Sequence, residues 1–288
     1  SFAAGATVRG TFSTMCSMLP NALGAATFMA HHTVRLKCIQ DLFKDAGYQT
    51  LWLNSHKKEF HGKLSFSLLH GTQTFYDKAE FKARGVDETL GKWGLADKPV
   101  LQASAEILQE HANQDQPIFA ELLTISTHHP FSPIQGQTLP PSIEAIKGSK
   151  SYRGYLSRLH YADESAASFI EKVFASPMGE RTLIVVLGDH SIGVKPSFEL
   201  TQVQQHEMRA RVPLVLMSKN LKQSERIPYP VHQVDVAPTL ARLSQLSGWT
   251  NWVGRGLFQK PAGTPWVFGS AGSSSVSYRQ EQHACYGQ

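Results

Sequence analysis

The stretch Val185-Val186-Leu187-Gly188-Asp189-His190 ends an apolar run on a carboxylate and an imidazole side by side. The apolar or β-branched residues Thr182 to Val186 read as a buried parallel strand, so Asp189 and His190 emerge at its C-terminal end, where open α/β sheets build their sites. A hard oxygen donor beside a borderline nitrogen donor suits Zn²⁺ or Mn²⁺. A turn in which Asp189 only caps the next segment explains the dipeptide equally well. A second run, Ile118–Ser126, delivers Thr127-His128-His129-Pro130-Phe131 to its end. Adjacent residues of an extended segment face opposite ways, so one histidine points into the site; we take His128 as that residue and His129 as its outer neighbour. The third segment is Gly5-Ala6-Thr7-Val8-Arg9-Gly10, with a hydroxyl between small residues ahead of a helix-compatible run. A threonine there can serve as an ordinary N-cap. It can also have its oxygen held by a metal and backbone amides, which lowers the hydroxyl pKa and makes a nucleophile.

These segments need a frame. The pattern predicts a helix over Thr33–Ala46 closed by Gly47, a strand Gln49–Leu53, an irregular segment His56–Arg84, and a helix from Asp97, as N-cap, to His111. After the Ile118–Ser126 strand and a Pro/Gly-rich loop (Pro133–Gly148), it predicts a helix Tyr152–Phe174. The strand into Asp189 follows, then a strand Val212–Met217, a helix Val234–Leu246 and an aromatic strand Trp266–Phe268. Strands alternating with helices imply an α/β fold, a mostly parallel doubly wound sheet flanked by helices, with no internal repeat. Residues 1–270 form one domain, followed by a small Ser/Gly/Gln-rich C-terminal extension, 271–288, in which Cys285 is an unpaired thiol.

With 288 residues, 41% of them hydrophobic, the chain can bury a sizeable core. The formal net charge of +5 is spread along it rather than gathered in a stripe. That excludes a nucleic-acid groove and leaves an anionic lipid surface or a phosphate substrate compatible. No stretch approaches the length of a membrane span, no signal peptide is present, and the sequence opens at Ser1 as a piece of something longer would. The three cysteines show no metal-binding spacing; Cys16 and Cys38, either side of the loop at Pro20–Gly24, are a bridge or a pair of free core thiols.

Taken in order, Thr7-Val8-Arg9-Gly10, Gly47-Tyr48-Gln49-Thr50, His70-Gly71 with Phe75-Tyr76-Asp77, Ser126 to Phe131, Tyr161-Ala162-Asp163, Gly188-Asp189-His190, Arg211-Val212-Pro213, Val234 to Leu240 and Gly254 to Phe258 resemble the alkaline phosphatase/sulfatase superfamily. Within it, they resemble the lipoteichoic acid synthase-like branch of phosphoglycerol and phosphoethanolamine transferases. The resemblance implies that Thr7 is the nucleophile, that Thr7, Asp189 and His190 bind one divalent metal ion (Mn or Zn, with Mg possible), and that Arg9, His70, Lys78 and His128 bind substrate. It further implies an acidic ligand upstream of Thr7. None of the six residues before Thr7 is acidic, so three of four ligands are expected here, with weak or no metal binding, and the first strand and a membrane domain are expected upstream. Because the family's active domain faces the periplasm or the cell exterior, a Cys16–Cys38 disulfide is implied as well.

The function implied is metal-dependent transfer of a phosphoglycerol headgroup from a phospholipid donor to a glycan or lipid acceptor through a phospho-threonine intermediate, at the cytoplasmic membrane with this domain outside. A phosphoethanolamine transferase acting on lipid A or a glycan is the first alternative. A sulfatase or phosphodiesterase is another, although the Cys/Ser-x-Pro-x-Arg motif of sulfatases is missing. A metal-free lipid-sensing regulatory domain is the non-enzymatic one. His160, His206 and His232 read as structural, Asp235 as a cap or packing anchor, and Tyr161 and Asp163 as scaffold.

Overall fold

The computed structural model describes the chain apart from residues 2, 4, 22, 23, 114, 115, 135, 264, 265, 272–274, 281, 282 and 288, and apart from the side chains at 203, 206, 266, 268 and beyond 269. The readings of Cys285 and of the His206 ring therefore lie outside the described residues. The first half of the chain contains α1 (Thr7–Cys16), α2 (Thr27–Ala30), α3 (Ile39–Asp45), β1 (Gln49–Asn54), α4 (Lys63–Leu69), β2 (Thr74–Tyr76), α5 (Lys78–Ala83), the short strands β3 (Thr89–Leu90) and β4 (Gly94–Leu95), α6 (Asp97–Ala112) and β5 (Ile118–Leu123). The second half contains α7 (Pro141–Glu144), α8 (Lys150–Ala175), β6 (Ile184–Leu187), α9 (Gln202–Ala210), β7 (Leu214–Met217), α10 (Val236–Leu243), β8 (Trp266–Ala271), β9 (Ser275–Gln280) and β10 (His283–Gly287).

A parallel sheet of order β2-β1-β5 sits at the centre. Every residue of β1 from Thr50 to Asn54 is buried, as a strand covered on both faces must be. On one face Trp52, Phe75 and Phe119 pack with Phe12, Phe43 and Ala237 of α1, α3 and α10. On the other, Leu51 and Leu53 pack with Val100, Ile107 and Leu108 of α6. These layers carry out the expected α/β architecture, with helices flanking a parallel sheet.

Several local expectations are corrected. Ile184–Leu187, read as a buried parallel strand, is half-buried and pairs antiparallel with β7, from Ile184↔Met217 to Leu187↔Leu214. An apolar run reports burial, and it does not encode the direction of the partner strand. The predicted Thr33–Ala46 helix begins only at Ile39. Before it, the Leu36 amide donates to His70 Nε2 and the Lys37 carbonyl accepts from Trp252 Nε1, so that stretch is spent on tertiary bonds. The helix starts where Asp41 can accept from the Cys38 amide at 2.9 Å. His56–Arg84 is not irregular, since it contains α4, β2 and α5. Asp97 is the first residue of α6 rather than its cap, and its carboxylate accepts from the amides of Ile125 and Ser126 just past β5. The backbone of the C-terminal extension pairs antiparallel through β9 and β10 against β8.

Cys16, the last residue of α1, and Cys38, just before α3, form a disulfide. It joins the helix that carries Thr7 to the helix that leads into the central strand. Among the described residues, no helix is long and apolar enough to cross a membrane.

Candidate functional site

The turn after β6 is held by bonds between neighbouring residues and by Gln233. The Asp189 carboxylate accepts from the His190 amide through Oδ1 at 2.8 Å, leaving Oδ2 free of that bond. His190 Nδ1 lies 2.7 Å from the Ser191 carbonyl; a carbonyl can only accept, so Nδ1 is the donor, and in the neutral ring Nε2 is then free to coordinate. That free Nε2 lies 3.6 Å from Asp189 Oδ2. Two ligands each about 2.1 Å from a tetrahedral cation stand about 3.4 Å apart, so this pair fits the two edges of one ion's coordination shell. The carbonyl bond on Nδ1 is the kind of outer contact that orients a ligating imidazole. Gln233 Nε2 closes the turn from below, donating to the carbonyls of Gly188 at 2.9 Å and Asp189 at 2.7 Å.

Helix α1 comes directly against this turn. A Cβ at Gly10 would lie 2.0 Å from the Asp189 carbonyl oxygen, so only glycine permits the approach. Thr7 opens the same helix three residues earlier, about 4.5 Å along its axis. The residue before it, Ala6, holds φ 108° and ψ 143°, a backbone region that costs a non-glycine residue about 1–3 kcal/mol and that concentrates at functional sites.

Near this turn lies a group of rings and cations drawn from three other segments. Trp93, on the β3–β4 hairpin, lies tilted against His128 with centroids 4.3 Å apart and meets Phe60 edge-on at 6.1 Å. His56, just past the end of β1, lies 4.7 Å from Phe60. The Lys63 ammonium stands 5.4 Å from the Phe60 ring centre. Lys63 is only 4% exposed. Burial lowers its pKa to about 8, against the opposing pull of the Glu121 and Asp189 charges. Burial likewise raises the Glu121 carboxyl, on β5, to about 8, with a Gln40 bond and the Lys63 charge working the other way. His128 is pushed toward its neutral form chiefly by burial, and the charges of His129 and His190 add to this. His56 is lowered by burial, then by Lys63, Lys78 and Lys57. The group therefore offers one cation that is expensive to keep charged, neutral imidazoles and aromatic faces beside a carboxylate–imidazole pair.

The sequence-derived candidates divide. Asp189, His190 and His128 share one electrostatic neighbourhood, and α1, with Thr7 at its start, abuts it. Lys78 is half-buried at the start of α5, and its amide donates to the His56 carbonyl at 3.3 Å. Two candidates are committed elsewhere. His70, expected to bind substrate, is 1% exposed; its Nδ1 meets the Phe66 carbonyl at 2.7 Å, its Nε2 accepts from Leu36, and its ring stacks on Phe66 at 4.0 Å. Arg9, 6% exposed, donates from its guanidinium to the carbonyls of Gly5 and Gly24, which ties it to the loops around α1. Sequence reasoning missed His56, Lys63, Phe60 and Trp93. His56 was within reach of the rule that picked Asp189, because it follows a buried strand at its C-terminal end. The structural readings of Asp235 and Tyr161 agree with their contacts. Asp235 accepts from the amides of His232 and Arg255, and the buried Tyr161 hydroxyl accepts from the Lys98 amide.

Lipoteichoic acid synthase 2 of Bacillus subtilis is 24% identical over 238 residues, covering 79% of this chain and 35% of that protein. Phosphoglycerol transferase I of Xanthomonas campestris pv. campestris is 26% identical over 263 residues, covering 90% of this chain and 36% of its own length. The chain thus spans about a third of the length of the curated relatives it matches. The crystal structure of the lipoteichoic acid synthase LtaP from Listeria monocytogenes superposes with a TM-score of 0.80 at 20% identity, covering 97% of this chain and 72% of that one, which shows a shared fold. The sulfatase family model matches residues 1–246, and the chain belongs to that family.

Proposed function

We propose that the protein of which this chain is part transfers a phosphoglycerol group from a phospholipid to a hydroxyl of a glycan or lipid acceptor, through a covalent intermediate on Thr7. The observation that supports this reading most is the abutment of α1, opened by Thr7, on the Asp189–His190 turn. Asp189 Oδ2, His190 Nε2 and the Thr7 hydroxyl would hold a divalent ion, Mn or Zn. Such an ion, when bound, acidifies a coordinated hydroxyl and offsets phosphoryl charge.

In the first step the Thr7 oxygen forms a bond to the donor phosphorus while the bond to the diacylglycerol oxygen breaks. His128, biased to its neutral form, takes the threonine proton and passes it to the departing oxygen. In the second step the acceptor hydroxyl oxygen forms a bond to the same phosphorus while the Thr7 oxygen–phosphorus bond breaks; His128 takes the acceptor proton and passes it to the released Thr7 oxygen. Lys63, cationic below about pH 8, faces the charge carried by the phosphoryl oxygens. Phe60 and Trp93 wall the group from water. The domain works outside the cytoplasmic membrane, where a Cys16–Cys38 bridge persists.

The alternative is a domain of the same fold that binds lipid headgroups without turnover. Incubating the full-length protein with phosphatidylglycerol and manganese separates the two. The transferase releases diacylglycerol, and a binding domain leaves the lipid intact. Phosphatidylethanolamine in a parallel reaction reports which headgroup is taken.

A further inference from the structure

A cavity of about 400 Å³ opens beside the ring cluster without including Asp189 or His190. It is formed by the same two segments that carry Trp93 and His128: the β3–β4 hairpin contributes Glu88 and Thr89, and the loop after His128 contributes Ser132. Its fourth polar component comes from α8. Arg158 is 3% exposed, and its Nε donates to the Ser132 carbonyl at 2.6 Å. Among the described residues, its two terminal amino groups make no hydrogen bond, although they line a space large enough for a ligand. These amino groups open on the cavity, so a ligand bound there can accept from them.

The surrounding charge says what that acceptor is. Asp97 faces Arg158 from the start of α6, and Glu88 stands at the mouth of the cavity. The Glu88 carboxylate offsets the Arg158 charge, so the cavity lining carries no net positive charge to attract an anion. What the cavity lacks is hydrogen-bond acceptors for the Arg158 fork and donors for the Glu88 oxygens. Vicinal hydroxyl groups supply both at once.

We propose that this cavity binds a neutral polyhydroxylated ligand, a sugar unit, with Arg158 donating to and Glu88 accepting from neighbouring hydroxyls. Its role as the subsite for a glycan acceptor, next to the phosphoryl site, rests on the transferase reading above; its sugar chemistry does not.

The test is a ligand-observed NMR titration of the protein with methyl β-glucoside and, separately, with inorganic phosphate, needing neither metal nor turnover. The glucoside is expected to bind and phosphate is not. Glu88→Ala, at an exposed position, and Arg158→Lys, which keeps the charge and loses the fork, should each weaken glucoside binding about tenfold while leaving the melting temperature close to that of the unaltered protein. If Arg158→Lys fails to fold, Glu88→Ala alone decides. Phosphate binding in place of glucoside, no glucoside binding up to its solubility limit, or equal binding by Glu88→Ala would each overturn the proposal. Glucoside binding in a protein that leaves phospholipid uncleaved would keep the sugar site and remove the transferase reading.

Discussion

Two regions face each other across the candidate site and are built in opposite ways. At the end of β6, Asp189 and His190 are oriented by bonds to their immediate neighbours, the His190 amide and the Ser191 carbonyl, and by one glutamine below. Past the end of β1, Lys63 and His56 pack on the Phe60 ring, which meets Trp93, some thirty residues further along the chain, and burial holds the group together. A turn held by bonds between neighbouring residues keeps its geometry when a side-chain atom is exchanged. A packed cluster does not, because each ring is another ring's support. Substitutions in the first region should therefore separate activity from stability, and substitutions in the second should move both.

The sharpest test of that contrast is Asp189→Asn. The amide keeps an oxygen for the His190 N–H but loses the charge, so turnover should fall by about 10³-fold with the thermal midpoint nearly unchanged. Large unfolding in this variant would break the distinction between the two regions.

Removing the bridge by Cys16→Ser with Cys38→Ser is the next largest effect, and it acts on stability. With a sequence separation of 22 residues, the chain-entropy relation gives about 3 kcal/mol, and the loss should be visible as a lower denaturant midpoint. An unchanged midpoint would show that α1 is held to α3 by packing alone.

Lys63 yields a smaller effect that is read through pH. Activity that depends on its cation should fall as pH rises through about 8, where the folded protein releases that proton. Lys63→Arg should carry the fall to higher pH, and Lys63→Met should lower turnover and abolish the limb. Stability moves the other way. Because the folded value lies below the ordinary 10.5, the unfolded chain binds more protons between the two, and stability should rise from about pH 8 toward 10.5 in the unaltered protein but not in Lys63→Met. A pH–activity profile identical in all three proteins would place Lys63 outside the chemistry.

The same contrast explains what could be read from the chain alone. Asp189-His190 stands out in the sequence because the two candidate ligands are adjacent at a strand end, and Thr7 because a hydroxyl between small residues precedes a helix-compatible run. The Lys63 cluster does not, since its members meet only through the β1–α4 crossover and the β3–β4 hairpin. The burial of His70 has a local reason. His70 lies four residues after Phe66 on the same helical face, so it packs into the core beside that ring, and a motif match does not carry this information. The direction of β6 was equally out of reach, because an apolar run is the same in either pairing.

The central claim is that Thr7 becomes covalently loaded. The direct measurement is intact-mass analysis followed by peptide mapping of the full-length protein, quenched in acid during turnover of phosphatidylglycerol with manganese present. The account predicts a mass increase of one glycerophosphoryl group, located on the peptide that contains Thr7 and absent from Thr7→Ala. Turnover by Thr7→Ala at the rate of the unaltered protein, or a label on any other residue, would contradict it.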